Sequence, residues 1–175
     1  MREGPVEIDE LYVSAGKKGR ERDGRSRSRG LSTRGRGTYH EDKPPVFILA
    51  ERGTGETYVH PAKAADESTI RLLLEDRKEE SLTVYTDGFR AYEPPDGDEA
   101  FDRQYVVHGE GEYADGDVHV NTCGSHASLA RRWLSPHRGV SRDKLTLYLR
   151  ALQLRKRVRR KPGDEALKTI LEAAL

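Results

Sequence analysis

The longest unbroken apolar run in this 175-residue chain is five residues, 46–50 (VFILA). A chain interrupted this often cannot build long buried helices. Its interior must be assembled from short segments, and a strand is the element that five residues can complete. Apolar residues make up 34% of the sequence and charged residues 35%, so the core is thin, although the length suits one domain. The run is far short of the ~20 residues a membrane helix needs. The N-terminus is charged and lacks the apolar stretch of a secretory leader. A lone cysteine, Cys123, excludes an internal disulfide and a paired-Cys zinc site. The expectation is a cytoplasmic protein with no membrane contact.

Period and punctuation order the elements. Residues 6–13 (VEIDELYV) alternate as a strand, with Ile8 and Tyr12 on one face and Asp9, Leu11 and Val13 on the other. Residues 16–37 are low in complexity and read as a flexible basic loop. Segments 44–50 and 56–60 form a hairpin turned by Arg52-Gly53-Thr54-Gly55. A helix follows over 64–78, capped by Asp66 or Ser68, and a strand over 82–86 ends at Asp87-Gly88. An acidic loop, 93–102, precedes a short strand at 104–108. Asn121 is the expected N-cap of a helix over 122–134, which Pro136 stops. Ser141 starts a longer helix whose stripe holds Leu145, Tyr148, Leu149 and Leu152. A final amphipathic piece spans 164–175. The order predicts an α/β fold, a mixed sheet flanked by helices, over 1–158, then a basic segment and C-terminal helix over 159–175.

The net charge of +1 conceals a segregation. Residues 16–37 carry nine Lys/Arg against two acids, 38–117 carry eight against twenty, and 131–161 carry twelve against one. Two basic blocks around an acidic middle suggest a phosphate-binding side and a carboxylate-rich side. Solvated surface runs are the plainer reading of the same pattern.

Two strand acids and one absent acid carry the chemistry. Asp9 stands among apolar residues of a strand, which costs free energy unless it is paired or metal-bound. Asp87 stands at the end of the 82–86 strand, in the segment 82–92 (LTVYTDGFRAY), where an acid before glycine also fits a simple turn. The third segment, 117–141, reads DVHVNTCGSHASLARRWLSPHRGVS. Together these resemble the catalytic domain of DDE-type insertion-sequence transposases, in the group whose full-length members begin with a zinc ribbon. That group's motifs read V-E-x-D-E-x-Y, x-Y-x-D-x-x-x-A-Y and H-x-N-T-x-E-S-x-x-S. In this chain the last becomes His119-Val120-Asn121-Thr122-Cys123-Gly124-Ser125, so Gly124 occupies the position of the third acid.

The resemblance covers residues 6–155 and implies an RNase H-like fold. It also implies a Mg²⁺- or Mn²⁺-dependent DNA-transposing activity with two cations at the site. Asp9 would bridge both ions and Asp87 would be the second ligand, with Glu10 paired to a nearby Arg or standing behind the ligands. Glycine at 124 offers no ligand, so weak or absent strand transfer is expected. Asp115, Asp117, Glu112 and Glu110 are possible substitutes on the preceding loop. Cys123 reads as a small core residue, and His119 and His126 as structural or DNA-facing. DNA, both transposon ends and target, is the implied partner, with homo-oligomers usual in the family. Its contacts would be Lys17, Lys18, Arg25, Arg27 and Arg29 in the basic loop, Arg131 and Arg132 beside position 124, and Arg155 and Arg157. The family's ribbon and helix-turn-helix precede the first catalytic strand, where this chain starts. A truncated, impaired copy is therefore the expectation. The alternatives are an active enzyme with a substitute acid and a non-catalytic DNA-binding regulator.

Overall fold

A computed structural model describes residues 4–16, 43–75, 82–87, 101–106, 116–159 and 161–174. Its centre is a five-stranded mixed sheet in the order β4-β3-β1-β5-β6. The strands are β1 (Val6–Tyr12), β3 (Pro45–Glu51), β4 (Thr57–Pro61), β5 (Leu82–Asp87) and β6 (Phe101–Val106). A two-residue β2 (Ala15–Gly16) pairs in parallel with β7 (Val140–Ser141) in a separate small sheet. The helices are α1 (Glu67–Leu74), α2 (Asn121–Leu134), α3 (Leu145–Val158) and α4 (Gly163–Ala174). This is the expected RNase H-like α/β arrangement. Among the described residues no helix is long and apolar enough to cross a membrane.

The five-residue apolar run forms β3, and its lack of alternation has a direct cause: both faces of the sheet are covered there. Val46, Ile48 and Ala50 join a core with Leu11 and Val13 of β1, Cys123, Ala127 and Ala130 of α2, and Leu145, Leu149 and Leu152 of α3. Phe47 and Leu49 face the other way, onto Val6, Ile8, Val84 and the α1 residues Ile70 and Leu74. Each such side chain, taken fully out of water, contributes roughly 1.5–3 kcal/mol. One short strand therefore anchors two helical layers. On α2 the sheet-facing positions Cys123, Ala127 and Ala130 are small, which lets the helix lie close to the strands.

The hairpin forms as expected. Gly55, at φ +69°, closes its turn in the left-handed region that costs glycine little. Asp66 caps α1, its Oδ1 accepting from the Thr69 amide at 2.9 Å and from the Ser68 hydroxyl at 2.8 Å. Four boundaries differ from expectation. α1 starts at Glu67, behind its Asp66 cap, rather than at 64. β6 starts at Phe101 rather than Gln104, because parallel pairing with β5 runs from Leu82↔Phe101 to Asp87↔Val106. Ser141 starts a 3-10 turn rather than the α-helix itself: it is that turn's extended N-cap (φ −72°, ψ 136°) and also pairs with Gly16. The turn, over Arg142–Lys144, then leads into α3. Asn121 lies inside α2 rather than capping it. Most of the basic loop at 16–37 lies outside the described residues.

Candidate metal centre

β1 and β5 run parallel, paired at Val6↔Val84 and Glu7↔Tyr85. Two residues further along each strand stand Asp9 and Asp87, on the face that α2 covers. The structure brings these two predicted acids together and adds a third. Carboxylate oxygens of Asp9, Glu10 and Asp87 all lie within 4.8 Å of one another. Glu10 was expected to pair with a nearby Arg or to stand behind the ligands. The β1–β5 ladder stops at Glu7 and Tyr85, short of both Asp9 and Glu10. Behind Asp87, Arg103 of β6 donates to the Thr86 hydroxyl at 2.9 Å and to the Asp87 carbonyl at 3.1 Å, fixing the end of the strand.

Three crowded carboxylates disfavour full ionisation. Burial, then the charges of Glu10 and Asp87, push the Asp9 carboxyl up to about 7, while the Glu10 amide and Arg131 pull it back only partly. The Glu10 amide donates to Asp9 Oδ1 at 2.8 Å. An all-oxygen, all-carboxylate donor set of this size suits Mg²⁺ or Mn²⁺. Such an ion would also offset the repulsion that raises Asp9. The residues present fit the group.

Gly124 stands in the first turn of α2, half-buried, and a Cβ added there meets no atom within 4 Å. Arg131 lies seven residues on, about two turns, and so shares its flank of the helix. The Arg131 charge is felt at Asp9. A side chain at 124 would have free space around its Cβ. Among the expected loop substitutes, Asp117 is exposed and does not join the acid group, while Asp115, Glu112 and Glu110 lie outside the described residues. Of the basic residues, Arg131, Arg132, Arg155 and Arg157 are exposed on α2 and α3. Arg155 also sits over the Trp133 ring at 5.5 Å. Lys17, Lys18, Arg25, Arg27 and Arg29 lie outside the described residues.

Sequence reasoning misses Glu7. The N-cap of α2 is Val120, whose own side chain makes no capping bond. The cap comes instead from β1. Glu7 Oε2 accepts from the backbone amides of Thr122 at 2.8 Å and Cys123 at 3.1 Å, and Oε1 accepts from the Thr122 hydroxyl at 2.8 Å. A carboxylate at a helix N-terminus is favoured by the orphan amides and by the helix dipole. A signal was available: period two puts Glu7 on the same buried face as Asp9, where an acid needs a partner. Cys123 is a buried core residue as expected, its thiol donating to the Ile48 carbonyl at 3.3 Å. Its pKa is raised by burial first, then by the nearby Glu7 and Asp9 charges. His119 is structural, with Nδ1 2.7 Å from Arg52. His126 is half-buried beside Lys156, and burial and that charge lower its pKa.

Two comparisons agree with this geometry. The sequence pattern of the ISXO2-like transposase domain matches residues 1–156. A relative from Halobacterium salinarum, named "Uncharacterized protein in transposable element ISH50", is 79% identical over 173 residues. That match takes in 99% of this chain and 59% of the relative, so the chain spans little more than half of the relative's length.

Proposed function

The chain belongs to the ISXO2-like transposase domain family, and on that premise we propose that it is a DNA-transposition domain impaired for cleavage and strand transfer. The observation carrying this reading is the grouping of the Asp9 and Asp87 carboxylates on the sheet face that α2 covers, with glycine at 124 in the first turn of that helix. A bound divalent cation would lower the pKa of an attacking water or 3′-hydroxyl and stabilise the leaving oxygen of a DNA phosphodiester. The chain's own part is to fix two ligands on adjacent central strands and to hold Arg131 beside them as a phosphate contact. Arg132, Arg155 and Arg157 extend a positive surface along α2 and α3 that suits DNA of any sequence.

The impairment follows from the donor count. Glu10 does not replace the missing acid, because the family pattern carries an acid at that position as well as the later glutamate. Nicking of supercoiled DNA with Mg²⁺ or Mn²⁺ tests the reading on the unaltered chain and on Gly124→Glu. Activity should be weak or absent in the first and clearly raised in the second. Equal, robust nicking by both would sink it.

One observation favours a second reading. With Glu10 inside the acid group, three carboxylates are already present. If they suffice, the unaltered chain nicks DNA, Glu10→Gln abolishes the activity, and Gly124→Glu adds nothing.

A further inference from the structure

Among the motif residues that the acid group does not use, Glu7, Tyr85 and His119 converge on one side chain that no motif contains, Arg52 in the β3–β4 turn, while Thr122 bonds Glu7 from the helix side. Arg52 Nε donates to Glu7 Oε1 at 2.8 Å. Its Nη1 donates to the Asp117 carbonyl at 2.6 Å and its Nη2 to the His119 carbonyl at 3.0 Å. Nη2 also lies 2.7 Å from His119 Nδ1, which receives the Asn121 amide at 3.3 Å as well. With two donors aimed at it, Nδ1 is the unprotonated ring nitrogen. The guanidinium stacks over the Tyr85 ring, 4.5 Å from its centroid. The turn itself is pinned to the start of β1 by the Arg52 amide donating to the Pro5 carbonyl at 3.1 Å.

On the other side of Glu7 stand the first amides of α2. Its side chain is 0% exposed, so every bond it makes is within the protein. Buried ion pairs are weak devices for stability, since apolar residues of the same volume often do as well or better; their better-attested use is to fix register. What this one fixes is the start of α2 against β1. The last amide it holds belongs to Cys123, next to position 124, and Glu7 itself stands two residues before Asp9 on the same face of the strand.

We propose that Glu7, braced by Arg52, is a positioning residue of the metal centre: it sets the height and rotation of the first turn of α2, so that the side chain at 124 and Arg131 face Asp9 and Asp87. The proposal rests on the reading of residue 124 as a ligand position. It concerns the helix-borne ligand alone, because Asp9 and Asp87 are held by their strands.

Mn²⁺ binding, read from the EPR signal of the free ion, tests this in a double-mutant cycle of Gly124→Glu with Glu7→Gln. With Glu7 in place, Gly124→Glu should tighten Mn²⁺ binding about tenfold. On the Glu7→Gln background that gain should fall below about twofold, because the new ligand is no longer aimed at the strand acids. Removing the Glu7 charge weakens cation binding in both arms alike, so that effect cancels in the cycle. Thermal unfolding of each variant confirms folding. If Glu7→Gln does not fold, Arg52→Lys runs the same cycle, keeping a charge beside Glu7 but losing the fork to Asp117 and His119. A gain that survives in full would overturn the proposal alone. No gain from Gly124→Glu in either background would sink the ligand reading of 124, and the proposal with it.

Discussion

Glu7 and Asp9 lie two residues apart on one face of one strand, and their surroundings are opposite. Glu7 is fully buried and accepts bonds from Arg52, from the Thr122 amide and hydroxyl and from the Cys123 amide. Asp9 is less buried, yet its burial, and then the two further carboxylates that face it, raise its pKa to about 7. Depth of burial does not separate the two roles. The sign of what faces each group does. The first carboxylate is saturated by donors and serves as a clamp, whereas the second stands among acids and gains a compensating partner when a cation binds.

The largest effect expected from this contrast is on Glu7. Glu7→Ala leaves Arg52 and the first α2 amides without their acceptor and should destabilise the fold by about 3–5 kcal/mol in chemical denaturation. A loss under ~1 kcal/mol would mean the clamp does not hold. Asp9→Asn should act in the other direction. The folded pKa of Asp9 is raised above its ordinary 3.8, so its favourable contribution is complete below about pH 4 and lost as pH rises towards about 7. In metal-free buffer at pH 8 the Asn variant should therefore be more stable, by on the order of 2–4 kcal/mol, with the difference vanishing near pH 4. A variant less stable at pH 8 would remove the contrast between the two acids. The smallest effect belongs to Thr122→Ala, which deletes only the hydroxyl bond to Glu7 and should cost about 1 kcal/mol. A larger loss would place more of the clamp's strength on the helix side than on Arg52.

Much of this was legible in the chain wherever a local rule and the tertiary environment agree. The alternation of β1, the glycine-closed hairpin and the Asp66 cap all depend on neighbours within a few residues, and each formed where expected. β6 and the start of α3 were misjudged because pairing with distant strands sets them: Leu82↔Phe101 in one case and Gly16↔Ser141 in the other. Asn121 has every local qualification for an N-cap, yet the helix start is held by the Glu7 carboxylate, 115 residues before the Thr122 amide it accepts from. Glu10 joined the acids, which no spacing reports. Asp9 and Asp87 were identified from motifs; their proximity required the parallel register.

Periodicity and the order of segments were enough to point to the class of fold, and resemblance to a family's motifs singled out the two strand acids and the glycine at 124, because both are properties of the chain. Which carboxylate would be clamped and which left crowded was decided only when β1, the hairpin turn and α2 came together. A side chain's charge is written in the sequence, whereas the donors and acids that surround it are assembled from segments up to 116 residues apart.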